Sequence, residues 1–233
     1  MNIGLILSGG IGSRMGTDIP KQYIEVAGKP IVSYCIKTMS ECDKIDAIQI
    51  VADEKWQSKF EKWLQTSDVK HKFRGFSLPG DSRQLSIYNG LNDVIRYAQE
   101  DDVVVVHDAA RPLLSKRLIS DCFSALTGYD GVLPVLHMKD TVYMSEDGKR
   151  ISSLLNRSII FAGQAPECFL LGKYLKANER LMPEQIRLIS GSTEPAIMAR
   201  LNVAMIHGDE NNFKITTKAD LERFRHIVEE RIE

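Results

Sequence analysis

The fold this sequence predicts is a mostly parallel, three-layer α/β sheet carrying one protruding β-arm. Three observations predict it. Short apolar runs alternate with longer stretches of helical period, the first run ends directly in glycines, and one polar-tipped segment late in the chain breaks the alternation.

Ile3–Leu7 is a continuous apolar run closed by a glycine loop, the pattern of a strand buried on both faces. Pro30 opens a helix that runs through about Met39, because proline suits a first helical turn. Ala47–Val51 is a second strand, and Glu54–Leu64 a helix with Trp56, Phe60, Trp63 and Leu64 on one face. Phe73–Leu78 is a third strand, followed by an Arg83–Tyr97 helix that turns Leu91, Val94 and Ile95 inward. Val103–Val106 is the most hydrophobic strand and takes a central place; Lys116–Leu126 is helical, and Gly131–Leu136 is a strand again. Such alternation implies right-handed crossovers between parallel strands. Residues 138–165 then read as an extended pair around the turn Ser145-Glu146-Asp147-Gly148-Lys149. Helical and strand patterns resume from Phe169, with Val203–His207 a strand and Lys218–Arg231 a closing helix. No internal repeat or linker interrupts the chain, so residues 1–233 read as one domain with a β-arm at about 138–165.

Composition narrows the class. With 30 Lys+Arg against 31 Asp+Glu, the net charge of -1 lacks the basic excess that non-specific nucleic-acid binding needs. No apolar run approaches the roughly 18 residues of a membrane span. The start, Met1-Asn2-Ile3-Gly4-Leu5-Ile6-Leu7-Ser8, has no basic leader, so the protein is expected to be cytoplasmic, with no nucleic-acid or membrane partner. Cys35, Cys42, Cys122 and Cys168 form no close pair and the histidines no metal-spaced cluster; reduced thiols, no disulfide and no structural metal are expected.

The most informative string is Ser8-Gly9-Gly10-Ile11-Gly12-Ser13-Arg14-Met15-Gly16, followed by Pro20-Lys21-Gln22-Tyr23. Glycines directly after a strand let backbone N–H groups turn toward an anion and approach it closely. A P-loop would need Gly-Lys-Ser/Thr, which is absent, and a dinucleotide fingerprint would need glycine where Met15 stands. The loop instead offers Arg14 and Lys21, a fork and a point charge suited to a triphosphate. Further on, Gly80-Asp81-Ser82 opens a helix whose free N–H groups and hydroxyls can read a pyrimidine edge or a ribose, or serve as an ordinary cap. Asp108 follows the central strand at the carboxyl edge of the sheet, where open α/β folds bind ligands, and a carboxylate there can hold Mg2+ directly or through water. His107 abuts the same strand and reads as structural.

These strings resemble the cytidylyltransferases of the 2-C-methyl-D-erythritol 4-phosphate and ribitol 5-phosphate group, within the glycosyltransferase-A-like nucleotidyltransferases. The resemblance rests on the Leu7–Gly16 loop, Pro20–Tyr23, Gly80-Asp81-Ser82-Arg83-Gln84-Leu85-Ser86-Ile87, and His107-Asp108-Ala109-Ala110-Arg111-Pro112. It continues in Asp140-Thr141-Val142, Arg157 ahead of Gln164-Ala165-Pro166-Glu167-Cys168-Phe169, and Asn212-Phe213-Lys214-Ile215-Thr216. It implies a Rossmann-like nucleotidyltransferase sheet that transfers CMP from CTP to a polyol phosphate, with Mg2+ as cofactor, pyrophosphate as product and a homodimer formed through the β-arm. Arg14, Lys21 and Lys214 would be the catalytic cations. Ser8, Gly9, Gly10, Gly12, Ser13, Gly80, Asp81, Ser82, Ser86 and Ala109 would bind CTP. Asp108, Arg111, Thr141 and Arg157 would bind the acceptor, with Arg157 entering a neighbouring subunit's site. Lys214 is expected in a short apolar strand, Phe213-Lys214-Ile215.

Two departures fall on the acceptor side. The Thr-Asp-Asp or Thr-Asp-Glu of the family is replaced by Ser190-Gly191-Ser192-Thr193-Glu194, and the Gln-Ala-Pro-Glu string replaces the usual Thr and Gln. The Gly-Gly-Ile-Gly-Ser-Arg-Met form leans toward the ribitol 5-phosphate branch rather than the isoprenoid branch. Three rival readings exist: a nicotinamide oxidoreductase, which Met15 and the missing ribose-binding acid oppose; a UTP- or GTP-dependent enzyme, which Asp-Ala-Ala-Arg-Pro opposes; and a non-catalytic nucleotide sensor, which would have lost a cation.

Overall fold

The computed structural model describes residues 1–10, 19–65 and 68–230. Its main sheet has eight strands, and β2 (Glu25–Val26) with β3 (Lys29–Pro30) forms a separate two-stranded ribbon. β1 (Asn2–Leu7) lies between β4 (Ala47–Val51) and β6 (Val103–Asp108), parallel to both, and β5 (Phe73–Ser77) extends the sheet beyond β4. Beyond β6 stands β11 (Glu167–Leu170), which runs antiparallel and pairs on its other side with β7 (Gly131–His137). Beside β7 are β12 (Val203–His207), parallel, and β10 (Phe161–Gly163), antiparallel. β6 is therefore interior, as its four valines require, and six of the eight strands share one direction.

Helices cover both faces, and the strands alternate to meet them. On one face Ile6, Ile50, Val105 and Cys168 pack with α1 (Ile31–Ser40), α2 (Glu54–Gln65) and α4 (Lys116–Ala125). On the other, Leu5, Val51, Val104, Val106 and Phe169 pack with α3 (Arg83–Val94) and α5 (Leu171–Glu179). A third cluster, including Ile31, Leu113, Ile215 and Phe224, docks α7 (Lys218–Glu230). All four cysteines are buried free thiols. Among the described residues no helix is long and apolar enough to cross a membrane.

Three expectations change. The helix from Arg83 closes at Val94 with Ile95 as its cap, short of Tyr97. Within 138–165 the separate hairpin is only β8 (Val142–Met144) with β9 (Ser153–Leu155), because β10 returns to the main sheet and takes the open side of the end of β7. Phe213-Lys214-Ile215 is not a strand. One backbone bond, Ile215 N–H to the Ala110 carbonyl at 2.8 Å, fixes the segment without a ladder.

Candidate functional site

The site is assembled at the carboxyl ends of β1, β5 and β6. Leu7 pairs with Asp108, so the loop after β1 and the residues after β6 leave the sheet side by side. Ser8 continues the ladder by donating its N–H to the Val51 carbonyl at 2.8 Å. At Gly9 a Cβ would stand 2.5 Å from the Pro79 Cβ, so only glycine lets the first loop close on the loop that follows β5.

The Pro-Lys-Gln-Tyr string fastens that first loop. Gln22, buried, donates from Nε2 to the Ser8 carbonyl at 2.8 Å and the Gly10 carbonyl at 2.7 Å. The Tyr23 hydroxyl donates to the Ser8 carbonyl at 2.8 Å, and its ring stacks on Trp56 of α2 with centroids 4.3 Å apart. Lys21 is carried on the same short 3-10 turn, Lys21–Tyr23, and is thereby tied to the loop it was expected to serve. Gly12, Ser13 and Arg14 lie outside the described residues.

The second loop is a built turn. Ser82 caps α3, its hydroxyl accepting the Leu85 N–H at 3.1 Å. Ser86 Oγ accepts the Gly80 N–H at 3.0 Å and donates to the Ser82 carbonyl at 2.9 Å. A Cβ on Gly80 would meet Leu85 at 2.4 Å, which accounts for the glycine. Gly80, Ser82 and Ser86 thus come together beside the first loop. Asp81 does not join them: its side chain is turned to solvent, 3.6 Å from Arg187.

Asp108 is the centre of charge. It is 7% exposed and ends β6, with Ala109 bonded back to the Leu7 carbonyl at 3.1 Å. Arg83 donates to Oδ1 from Nη2 at 3.0 Å and Nε at 3.3 Å, while Lys214 Nζ at 3.0 Å and Arg111 Nε at 3.4 Å reach Oδ2. Burial alone would raise the Asp108 carboxyl; Arg83, Lys214 and Arg111 outweigh it and hold the group well below the usual carboxylate range. Arg83 occupies the first position of α3, where the helix dipole opposes a cation, so the carboxylate is what keeps it there.

The surroundings fix the other two cations. Arg111 Nη1 donates to the Asn212 carbonyl at 2.7 Å, and Asn212 Nδ2 donates to the Ala165 carbonyl at 2.7 Å. Gln164 donates to the Asp209 carbonyl at 2.9 Å, joining the two strings again. Burial pushes the His107 imidazole down to about 4, so near neutral pH the ring is uncharged and its Nε2–H serves the Arg111 carbonyl at 3.0 Å. His107 is structural, as read.

Whether Mg2+ suits these residues is a question of acceptor positions. A carboxylate offers about four, and the four donors on Asp108 use them. A directly coordinated Mg2+ does not fit there without displacing a cation, which leaves the water-mediated form. No group of three or more metal-binding side chains exists among the described residues.

Thr141 and Arg157 stand apart, on the arm. Thr141 is exposed ahead of β8, and Arg157 begins an exposed 3-10 turn with Nη1 donating to the Lys139 carbonyl at 2.6 Å. Sequence reasoning missed Gln22 and Tyr23 as fasteners, Arg83 as a third cation, and Glu167, whose buried carboxylate accepts the Ser192 and Thr193 hydroxyls. For Arg83 a signal existed: an arginine directly after a serine cap needs an anion nearby.

Known proteins share this sequence pattern and fold over nearly the whole chain. A family model described as 2-C-methyl-D-erythritol 4-phosphate cytidylyltransferase matches residues 3–230. The chain is 30% identical over 227 residues to a 2-C-methyl-D-erythritol 4-phosphate cytidylyltransferase of Clostridium perfringens (strain SM101 / Type A), covering 97% of this chain and 98% of that one. It is 29% identical over 232 residues to a ribitol-5-phosphate cytidylyltransferase of Streptococcus agalactiae serotype III (strain NEM316), covering 99% and 97%. The crystal structure of the Francisella tularensis 2-C-methyl-D-erythritol 4-phosphate cytidylyltransferase superposes with a TM-score of 0.79 at 27% identity, covering 97% and 98%.

Proposed function

We propose a reaction from the premise that this chain belongs to the 2-C-methyl-D-erythritol 4-phosphate cytidylyltransferase family. It is a CTP-dependent cytidylyltransferase that transfers CMP to a phosphorylated polyol. The acceptor we assign is 2-C-methyl-D-erythritol 4-phosphate, on the strength of the family model and the Clostridium perfringens relative. Ribitol 5-phosphate, favoured by the form of the first loop, is the second reading, supported by the Streptococcus agalactiae relative.

The observation that carries the chemistry is the array of Arg83, Arg111 and Lys214 held on Asp108. The acceptor's phosphate oxygen attacks the α-phosphorus in line. A P–O bond forms, the α–β bridging bond breaks, and pyrophosphate leaves with the electron pair. A phosphate monoester is largely ionised near neutral pH, so no protein base is needed. Catalysis is positioning and charge neutralisation by groups set in place beforehand. Lys21 and Arg14 hold the triphosphate and the charge developing on the leaving group. Lys214 covers the α-phosphate, and Arg111 with Asp108 borders the acceptor. Ser82 and Ser86 shape the turn that reads the cytidine. Mg2+, which the family implies, would neutralise triphosphate oxygens, carried by the nucleotide rather than by a protein cage.

The arm completes the acceptor site in this reading. Leu154 and Ile159 are 65% and 69% exposed on and beside a two-stranded hairpin, a unit that is marginal alone in water. Pairing of two arms in a homodimer would cover them and bring Thr141 and Arg157 to a partner's acceptor phosphate.

The test is pyrophosphate release from CTP and Mg2+ with methylerythritol, ribitol and glycerol phosphates, repeated with UTP, ATP and GTP. CTP with methylerythritol phosphate should lead. A lead for ribitol phosphate selects the second reading, and equal rates with all four nucleotides overturn the assignment to CTP.

A further inference from the structure

We propose that Glu167 is a positioning residue for the acceptor: held by Ser192 and Thr193, its carboxylate keeps Arg83 on Oδ1 of Asp108, the oxygen that Lys214 does not use. The inference rests on the cytidylyl-transfer reading and goes beyond it.

Glu167 opens β11 directly opposite Val106 of β6 and is 7% exposed. Facing strand residues share a side of the sheet, and so do residues two apart, so Glu167, Val106 and Asp108 all face α3. Arg83 is the first residue of that helix. It bonds Asp108, and Glu167, on the same side of the sheet but not ion-paired with it, acts on it through space; burial raises the Glu167 carboxyl, while Arg83 and the two hydroxyls oppose that rise.

The carboxylate is itself tied down. One oxygen accepts the Ser192 hydroxyl and the other the Thr193 hydroxyl, the latter at 2.8 Å. Thr193 precedes the short helix α6 (Glu194–Met198) but does not cap it with its side chain. Glu194 takes the preceding backbone instead, accepting the Ser190 N–H at 2.9 Å and the Gly191 N–H at 3.3 Å, which leaves the Thr193 hydroxyl for Glu167. The Ser192 carbonyl accepts from the Tyr174 hydroxyl at 2.6 Å, and that hydroxyl accepts from Gln84 Nε2 at 3.1 Å. Gln84 adjoins Arg83, so the 192–193 segment is bonded through Tyr174 to the first turn of α3.

A neutral side chain could accept the two hydroxyls without the cost of burying a charge. What only a carboxylate supplies is a second anion for Arg83. The two departures from the family strings meet at this point: the glutamate of Gln-Ala-Pro-Glu bonds the threonine of Ser-Thr-Glu. The charge can therefore be handed across that bond, which provides the test.

CTP affinity is measured without acceptor by calorimetry, and acceptor KM and kcat by pyrophosphate release at saturating CTP. Glu167→Gln should raise acceptor KM about tenfold, the scale of a modest misplacement of binding groups, with CTP affinity held within about twofold. Glu167→Gln combined with Thr193→Asp should recover most of the loss. An unchanged acceptor KM, equal weakening toward both substrates, or no recovery in the double variant overturns the proposal. Should Glu167→Gln fail to fold, Thr193→Val decides: about a threefold rise in acceptor KM is expected, and an unchanged value overturns the proposal. Loss of CTP binding by the unsubstituted protein would instead strike the nucleotide reading, so the two failures are distinct.

Discussion

The Asp108 cluster and the β8–β9 arm both carry cations assigned to phosphate, and they hold them in opposite ways. Arg83, Arg111 and Lys214 converge on a buried carboxylate, inside a frame of backbone bonds from four separate stretches of chain. Arg157 is exposed, its side chain donating to the Lys139 carbonyl, on the 3-10 turn that follows a hairpin whose strands, among the described residues, pair only with each other. A preorganised array needs a counter-charge to exist before substrate arrives, and Asp108 is that counter-charge. Among the described residues Arg157 has no carboxylate partner, so a second surface is what would hold it in place. On the proposed reading, one half of the site is complete within a chain and the other is completed by a partner's arm.

The largest effect should come from Asp108→Ala, which leaves three cations facing one another without their anion. Turnover should fall by at least about 10³, and folding stability by about 3 kcal/mol, the range for breaking a buried ion pair. Steady-state pyrophosphate release and urea unfolding would measure the two. Near-normal stability would mean that the cluster is solvated and the contrast with the arm is overstated.

Lys21→Ala should lower kcat by roughly 10²–10³, as for the loss of one preorganised electrostatic group, while stability changes little. A kcat close to that of the unsubstituted enzyme would reduce Lys21 to an ordinary surface cation.

Gly9→Ala sharpens the description of the interior half. Its methyl would collide with Pro79, so the two loops must part. Stability should drop by about 1–3 kcal/mol, and CTP KM should rise while acceptor KM changes less. Equal rises in both would show that the loops do not serve the nucleotide selectively.

The arm should give the smallest single-variant effect. Arg157→Ala should lower kcat/KM for the acceptor by about tenfold, with CTP affinity retained and stability within about 0.5 kcal/mol. A stability loss as large as that from Asp108→Ala would place the arm with the core.

Much of this fold was legible because its strands obey simple patterns. Ala47–Val51 and Val203–His207 occur as read, and the valine run of β6 is interior. What escaped was decided by tertiary pairing. Glu167–Leu170 is buried nearly throughout and has no alternation to mark it, yet it enters antiparallel between β6 and β7. Phe213-Lys214-Ile215 looked like a strand from its apolar flanks, but among the described residues it finds only one backbone partner. In the site, Asp108, Arg111 and Lys214 were visible through their strings. Arg83 left only a local hint, its place directly after a serine cap, and Glu167 left none, because the groups that give each a role are brought near by the sheet rather than by sequence. Asp81 shows the reverse case: a motif residue whose neighbours in the turn are fixed while its own side chain points to solvent.

The contrast is tested most directly by mixing Arg157→Ala subunits with Lys21→Ala subunits under confirmed subunit exchange and measuring CTP- and acceptor-dependent pyrophosphate release. If Arg157 serves the partner's site, each mixed dimer holds one intact site, and an equal mixture should regain about one quarter of the unsubstituted activity, half the dimers being mixed with half their sites whole. No recovery above the two separate variants, or full activity from an unsubstituted protein that sediments as a monomer, would contradict a site completed across two chains.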